Sequence, residues 1–165
     1  MAEETPQLVT FVCTANICRS PMAEKLLEHA LAAEPPPLCD LEVVSTGVAG
    51  WEGNSASVQA VKAMEKVGLD LTGHRSQPLT KEIIQNSLAV FCMTEAHRAG
   101  IRQMYPDNDD TPVHLVREFL PPPAEKEIPD PFCATVQVYE VCRDNIVEAI
   151  PSIVQYLKEL TGKNP

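Results

Sequence analysis

Leu8-Val9-Thr10-Phe11-Val12-Cys13-Thr14-Ala15-Asn16-Ile17-Cys18-Arg19-Ser20-Pro21 is the stretch that decides the fold of this chain. Its first half is a short apolar run, the pattern of a strand buried on both faces. Its second half leads into a helical pattern, with Ser20 as the predicted cap and Pro21 at the predicted first helical position. Between them lies a loop in which a thiol is followed, after five intervening residues, by an Arg-Ser pair. A loop so placed turns several backbone N–H groups toward one point at the positive end of a helix dipole, the field that a tetrahedral anion needs. The Arg19 guanidinium adds a planar fork of donors that matches two phosphate oxygens. The same field favours the thiolate of Cys13, the form able to attack phosphorus. Thr14, Ala15, Asn16, Ile17, Cys18, Arg19 and Ser20 are thus the expected phosphate cradle, around a nucleophilic Cys13. The loop has neither the Gly-x-x-x-x-Gly-Lys-Ser/Thr of a nucleotide-binding loop nor the Gly-x-Gly-x-x-Gly of a dinucleotide fold.

Working outward, strand and helix patterns alternate, which predicts an α/β fold: one domain over 1–165, a four-stranded parallel sheet with helices on both faces. The strands are expected at 7–12, 41–45, 88–93 and 113–116. A helix is predicted from Ser20 to Ala33, ended by the loop that Pro35, Pro36 and Pro37 enforce. A second is predicted after a Ser55 cap, with Val58, Val61, Met64 and Val67 buried. A helical turn at 80–85 and a helix at 95–104 follow. The last helix is predicted from about Val136 to Leu160, with Pro151 expected to kink or split it. Before it, the segment from Pro121 to Pro131 is rich in proline, a stiff loop suited to presenting one side chain over a site.

Composition narrows the function classes. The 165 residues are 44% hydrophobic and 22% charged, ordinary for a globular domain, and no apolar run is long enough to span a bilayer. The acidic Met-Ala-Glu-Glu start argues against a secretory or transit peptide, so a cytoplasmic location is expected. A formal charge of −10 argues against nucleic acid or an anionic membrane as partner, and requires the site to attract phosphate locally. The six cysteines include no pair of C-x-x-C motifs, and reduced thiols are expected. Asp107, Asp109 and Asp110 lack the glycine-spaced pattern of a calcium loop and are expected to be solvated turn residues. Neither a metal nor a cofactor is implied.

With these residues in hand, the chain resembles the low-molecular-weight protein tyrosine phosphatase family over nearly its whole length. The resemblance rests on Cys13 to Ser20 followed by Pro21-Met22-Ala23-Glu24, on Val44-Ser45-Thr46-Gly47, on Phe91-Cys92-Met93-Thr94, and on Asp130-Pro131-Phe132 ahead of the last helix. It implies that Cys13 is the nucleophile, Arg19 the phosphoryl clamp and Asp130 the general acid, acting on phosphorylated proteins. It also implies that Cys18 can form a protective disulfide with Cys13. The chain departs from the family pattern at Ala15, where glycine is usual, and at Cys133, where a second aromatic often follows Asp-Pro. Bacterial arginine phosphatases of the family share the Asp-Pro-Phe form but typically carry Thr where this chain has Ile17. Ile17 favours phosphotyrosine, whereas the Asp130 segment resembles the arginine branch.

Asn16, Ser20, Ser45 and His74 are expected to form a polar network that holds the loop open, with the Ser20 hydroxyl donating to the Cys13 sulfur. Trp51 and Phe132, the aromatics on the predicted site loops, are expected as walls for a planar substrate group. His29, His97 and His114 show no spacing that marks ligands or bases, and Cys39, Cys92 and Cys142 are expected to serve packing. Three functions compete. A cytosolic phosphotyrosine phosphatase leads, with phosphoarginine as its alternative. A thiol-coupled arsenate reductase would need further relay cysteines between Met93 and Phe132, and there are none. A non-enzymatic phosphate-binding module would have no use for Cys13, Arg19 and Asp130 together.

Overall fold

The computed structural model describes residues 7–162. Strands β1 (Leu8–Cys13), β2 (Glu42–Gly47), β3 (Ser87–Cys92) and β4 (Val113–Leu115) form one parallel sheet in the order β2-β1-β3-β4. The strand that carries the phosphate loop therefore lies inside the sheet. It is paired on both edges, which explains its unbroken apolar character. Helices α1 (Arg19–Ala32), α2 (Val58–Glu65), α3 (Lys81–Gln85), α4 (Glu95–Met104) and α5 (Val136–Gly162) complete the fold, with a short 3-10 turn at Leu38–Asp40.

Alternation along β1 divides the core between two faces. Val9, Phe11 and Cys13 point into the larger cluster with Met22, Leu27, Met64, Tyr139 and Ile146 of α1, α2 and α5. Val12 faces the smaller cluster with Ile84, Val90, Ile101 and Leu115, under α3 and α4. On that second face Thr10 Oγ1 lies 2.7 Å from Ser87 Oγ, so the buried hydroxyls of adjacent strands satisfy each other.

Several expectations need correction. Ser20 does not cap α1: the helix begins at Arg19, its Ncap is Cys18, and no side chain caps it. The first-turn N–H groups stay open toward the loop, and the Ser20 hydroxyl is engaged at Cys13 instead. Pro21 then falls at the third helical position, where an N–H has no intrahelical partner in any case. Ser57, rather than Ser55, caps α2, its hydroxyl accepting from the Ala60 N–H at 3.3 Å. Val58 and Val67 are exposed, and the buried face is Ala60, Ala63 and Met64. Small residues there let α2 approach α5 closely, and the Arg143 guanidinium donates to the Ala63 carbonyl at 2.6 Å. Pro151 does not split α5, which runs through to Gly162. Both Pro151 and Val147, whose carbonyl the proline leaves unpaired, are exposed, so water can satisfy that group. Cys39 is exposed and serves no core.

Candidate active site

The loop after β1 holds its shape through one demanding residue. Asn16 sits at φ 60°, a left-handed conformation that asparagine tolerates better than most side chains. Ala15 has no such φ, which is why a Cβ is accepted where the family usually has glycine. Asn16 is fully buried and is held on three sides. Its carbonyl accepts from His74 Nε2 at 2.7 Å, its Oδ1 from the Gln77 N–H at 2.9 Å, and its Nδ2 donates to Ser20 Oγ at 2.9 Å. Burial pushes His74 below the ordinary histidine range, so the neutral ring donates at neutral pH. Ser45 lies outside this network: its hydroxyl donates to Glu24 at 3.2 Å, and only its carbonyl touches Gln77. Gly47 packs beneath the loop so closely that an added Cβ would stand 2.4 Å from the Thr14 carbonyl oxygen.

Above this support the reactive groups meet. Cys13 Sγ lies 2.9 Å from Ser20 Oγ, and the Ser20 hydrogen has the Thr46 carbonyl at 3.2 Å as its alternative acceptor. Arg19 is buried, and its Nη1 donates to the Ile128 carbonyl at 2.9 Å. Its Nη2 lies 3.5 Å from Thr14 Oγ1 and 3.8 Å from Asp130 Oδ2, while Nε has no protein partner. Asp130 comes from the proline-rich loop, half exposed, and its Oδ1 accepts from the Phe132 N–H at 3.0 Å. A cleft of about 220 Å³ opens over this constellation. Cys13, Cys18 and Arg19 line it together with Thr14 and Ala15, and Ile17, Asp130 and Phe132 complete it.

Trp51 is not brought to the cleft: it is 78% exposed and absent from the lining. Asn16 and Ser20 face inward as supports and do not line the cleft. A larger cavity of about 520 Å³ lies near the amino ends of β3 and β4, between α3 and the residues after α4, with none of these groups.

Three contacts escaped the sequence reading. Tyr139, fully buried, places its hydroxyl 3.1 Å from Cys18 Sγ, and Ser57 Oγ lies 3.7 Å from the same sulfur. Burial raises the Cys18 thiol above its ordinary range. His97 Nε2 lies 2.9 Å from Thr14 Oγ1. A signal for His97 was present: a helix that begins at the carboxyl end of β3 must start beside the loop leaving β1, because those strands are parallel neighbours. Cys92 and Cys142 are pushed up to about 12 by burial, which makes them unreactive packing thiols at neutral pH.

A sulfur on the floor of a cleft, an anchored guanidinium beside it and a carboxyl at the mouth can together bind a tetrahedral oxyanion, attack it and protonate a leaving group. The family model described as low molecular weight phosphotyrosine protein phosphatase matches residues 8–163. The chain belongs to that family. This phosphatase is 35% identical over 153 residues to a protein-arginine-phosphatase of Geobacillus stearothermophilus, covering 93% of this chain and 97% of that one. It is 31% identical over 140 residues to the low molecular weight protein-tyrosine-phosphatase Etp of Escherichia coli K12, covering 85% and 87%. Among solved structures, the YwlE arginine phosphatase of Geobacillus stearothermophilus superposes with TM-score 0.82 at 33% identity, over 97% of this chain and 98% of that one. A low molecular weight protein tyrosine phosphatase of T. tengcongensis superposes with TM-score 0.80 at 31% identity, over 90% and 98%. Relatives of the phosphatase thus carry both substrate names. Among its described residues no helix is long and apolar enough to cross a membrane.

Proposed function

We propose that this phosphatase hydrolyses phosphotyrosine in cytoplasmic proteins through a phosphocysteine intermediate. Cys13 Sγ attacks phosphorus, forming an S–P bond as the P–O bond to the phenol breaks. Asp130 delivers its proton to the departing phenolic oxygen. Arg19 and the loop N–H groups hold the equatorial oxygens, where charge is concentrated in the transition state. Water then attacks the phosphocysteine and gives a proton to the Asp130 carboxylate. Cys13 leaves as a thiolate, with the Ser20 hydroxyl as donor to the sulfur. Reversible oxidation by peroxide belongs to the same proposal: the two thiols give up two electrons and two protons to form a Cys13–Cys18 disulfide, the peroxide is reduced to water, and Cys18 must leave Tyr139 and Ser57.

The observation that carries the substrate class is the presence of Ile17 and Phe132 on the cleft lining. Two apolar side chains beside the phosphate site suit the faces of a phenyl ring and offer nothing to the N–H groups of a guanidinium. A second reading, phosphoarginine, is favoured by the 35% identical relative named for that activity and by the half-exposed Asp130 carboxyl at the cleft mouth. The test compares kcat/KM on matched phosphotyrosine and phosphoarginine peptides for the wild type and Ile17→Thr. The wild type is expected to prefer phosphotyrosine and the variant to shift toward phosphoarginine. A wild type at least as efficient on phosphoarginine overturns the tyrosine reading.

A further inference from the structure

Arg19 Nε and His97 Nδ1 are the buried side-chain nitrogens without a protein partner among the described residues, and the two side chains meet at one atom. Thr14 Oγ1 lies 2.9 Å from His97 Nε2 and 3.5 Å from Arg19 Nη2. We infer that His97 is a positioning residue, which sets the guanidinium of Arg19 for the transition state through the hydroxyl of Thr14. The inference rests on the proposed role of Arg19 as phosphoryl clamp.

Arg19 sets the polarity of its own end of this chain of contacts. A guanidinium only donates, so Thr14 Oγ1 accepts from Arg19 and its own hydrogen is free for His97 Nε2. That arrangement requires a neutral imidazole carrying its hydrogen on Nδ1. Burial and the charge of Arg19 hold His97 down to about 4, with Asp130 opposing them, so the ring is neutral at working pH. Arg19 from α1, Asp130 from the proline-rich loop and Thr14 from the phosphate loop are the polar groups around it.

The place of His97 in the fold gives the contact its purchase. Its N–H donates to Thr94 Oγ1 at 3.3 Å in the first turn of α4. The neighbouring Glu95 N–H donates to the Glu127 carboxylate at 3.0 Å. Ile128 donates from its N–H to the Met93 carbonyl and accepts Arg19 Nη1 on its own carbonyl, both at 2.9 Å. The start of α4 is therefore an abutment for the loop that carries Asp130 and, through His97, for the loop that carries Cys13. Arg19 is gripped at both ends, Nη1 by Ile128 and Nη2 by Thr14. Without His97 the Thr14 hydroxyl is free to rotate away and one grip is lost.

The test uses His97→Ala, His97→Gln, Thr14→Val and the His97→Ala/Thr14→Val double variant. p-Nitrophenyl phosphate serves as substrate, with vanadate and inorganic phosphate as bound oxyanions. His97→Ala is expected to lower kcat about tenfold, the scale of one lost hydrogen bond, and to leave KM within about twofold. Vanadate, which takes the five-coordinate geometry of the transition state, should bind about tenfold more weakly while phosphate changes less than about twofold. His97→Gln, whose amide replaces the ring nitrogen at Thr14, should recover most of the loss. The double variant should be no worse than Thr14→Val. Equal weakening of vanadate and phosphate, failure of glutamine to rescue, or additive losses in the double variant would overturn the inference. A wild type that ignores p-nitrophenyl phosphate would instead overturn the proposed activity, and the comparison of vanadate with phosphate would still decide the role of His97.

Discussion

Arg19 Nη1 donates to the Ile128 carbonyl at 2.9 Å, which ties the guanidinium to the very loop that presents Asp130 two residues later. A lysine ammonium at this position can reach Ile128 or the phosphoryl oxygens but cannot span both as a planar fork. Arg19→Lys is therefore expected to lose kcat by roughly 10²–10³, the scale of a lost oxyanion donor, with a much smaller change in KM. Steady-state kinetics on p-nitrophenyl phosphate check this. A variant altered only in KM would show that Arg19 binds the ground state alone.

Asp130 is held at the cleft by an Asx turn with Phe132 and by the Arg19 guanidinium, whose Nη2 lies 3.8 Å from its Oδ2. Asp130→Ala should cost roughly 10²–10⁴ on phosphotyrosine, whose phenolate leaves reluctantly without a proton. Esters with strongly acidic leaving groups should be affected far less. Plotting log kcat/KM against leaving-group pKa should give a steeper slope for the variant. Equal losses across the series would reduce Asp130 to a shaping role.

Gly47 is expected to be the least replaceable glycine. A Cβ at this position would meet backbone, the Thr14 carbonyl at 2.4 Å and the Asn16 nitrogen at 3.0 Å, with no flexible side-chain end to give way. Gly47→Ala should cost about 1–3 kcal/mol in denaturant unfolding, as overpacking does, and should weaken vanadate binding by displacing the loop. Gly68→Asn makes a useful control, because nothing lies within 4 Å of a Cβ there and asparagine accepts its φ of 79°.

Acid should destabilise the protein through its buried histidines. An unfolded histidine titrates near 6.5, whereas His97 stays neutral in the fold down to about 4. Between those values the unfolded chain binds more protons, so stability falls as pH drops from about 6.5 to about 4 and this group adds no further loss below that. The contribution of His97 is on the order of 3 kcal/mol. His74, also shifted downward, adds to the loss in the same sense. Denaturant unfolding at several pH values should show a shallower decline for His97→Gln than for the wild type. Parallel declines would remove His97 from the account.

How much of this was legible in the sequence follows from the range of the interactions involved. β1 and its loop were readable because a strand, a turn and a helix start are local events, and the strand limits moved by only one or two residues. The faces of α2 were misjudged because Val58 and Val67 are more hydrophobic than Ala60 and Ala63, yet close packing against α5 rewards small size over hydrophobicity. The Ser20 cap failed because the hydroxyl had a better partner in Cys13, which a local helix rule does not weigh. Ile17 and Phe132 were anticipated at the cleft, and both line it. Trp51 was anticipated on the strength of its glycine-rich loop alone, and composition does not fix where such a loop turns its side chain. Tyr139 meets the phosphate loop from a remote element that no spacing along the chain records, whereas His97 is signalled by topology alone, once β3 is placed beside β1.

The interior position of β1 has a consequence for how the molecule is made. The thiol leaves the ribosome on a strand whose two sheet neighbours, β2 and β3, have yet to be synthesised. The carbonyl that anchors Arg19 arrives at Ile128, and Tyr139, which backs Cys18, arrives later still. A nascent chain therefore carries Cys13 on an unpaired strand, with Arg19 unanchored, until Ile128 has been made. Under the proposed mechanism, hydrolysis begins only once the start of α5 has cleared the exit tunnel, so a chain that stops short of Ile128 is silent by construction.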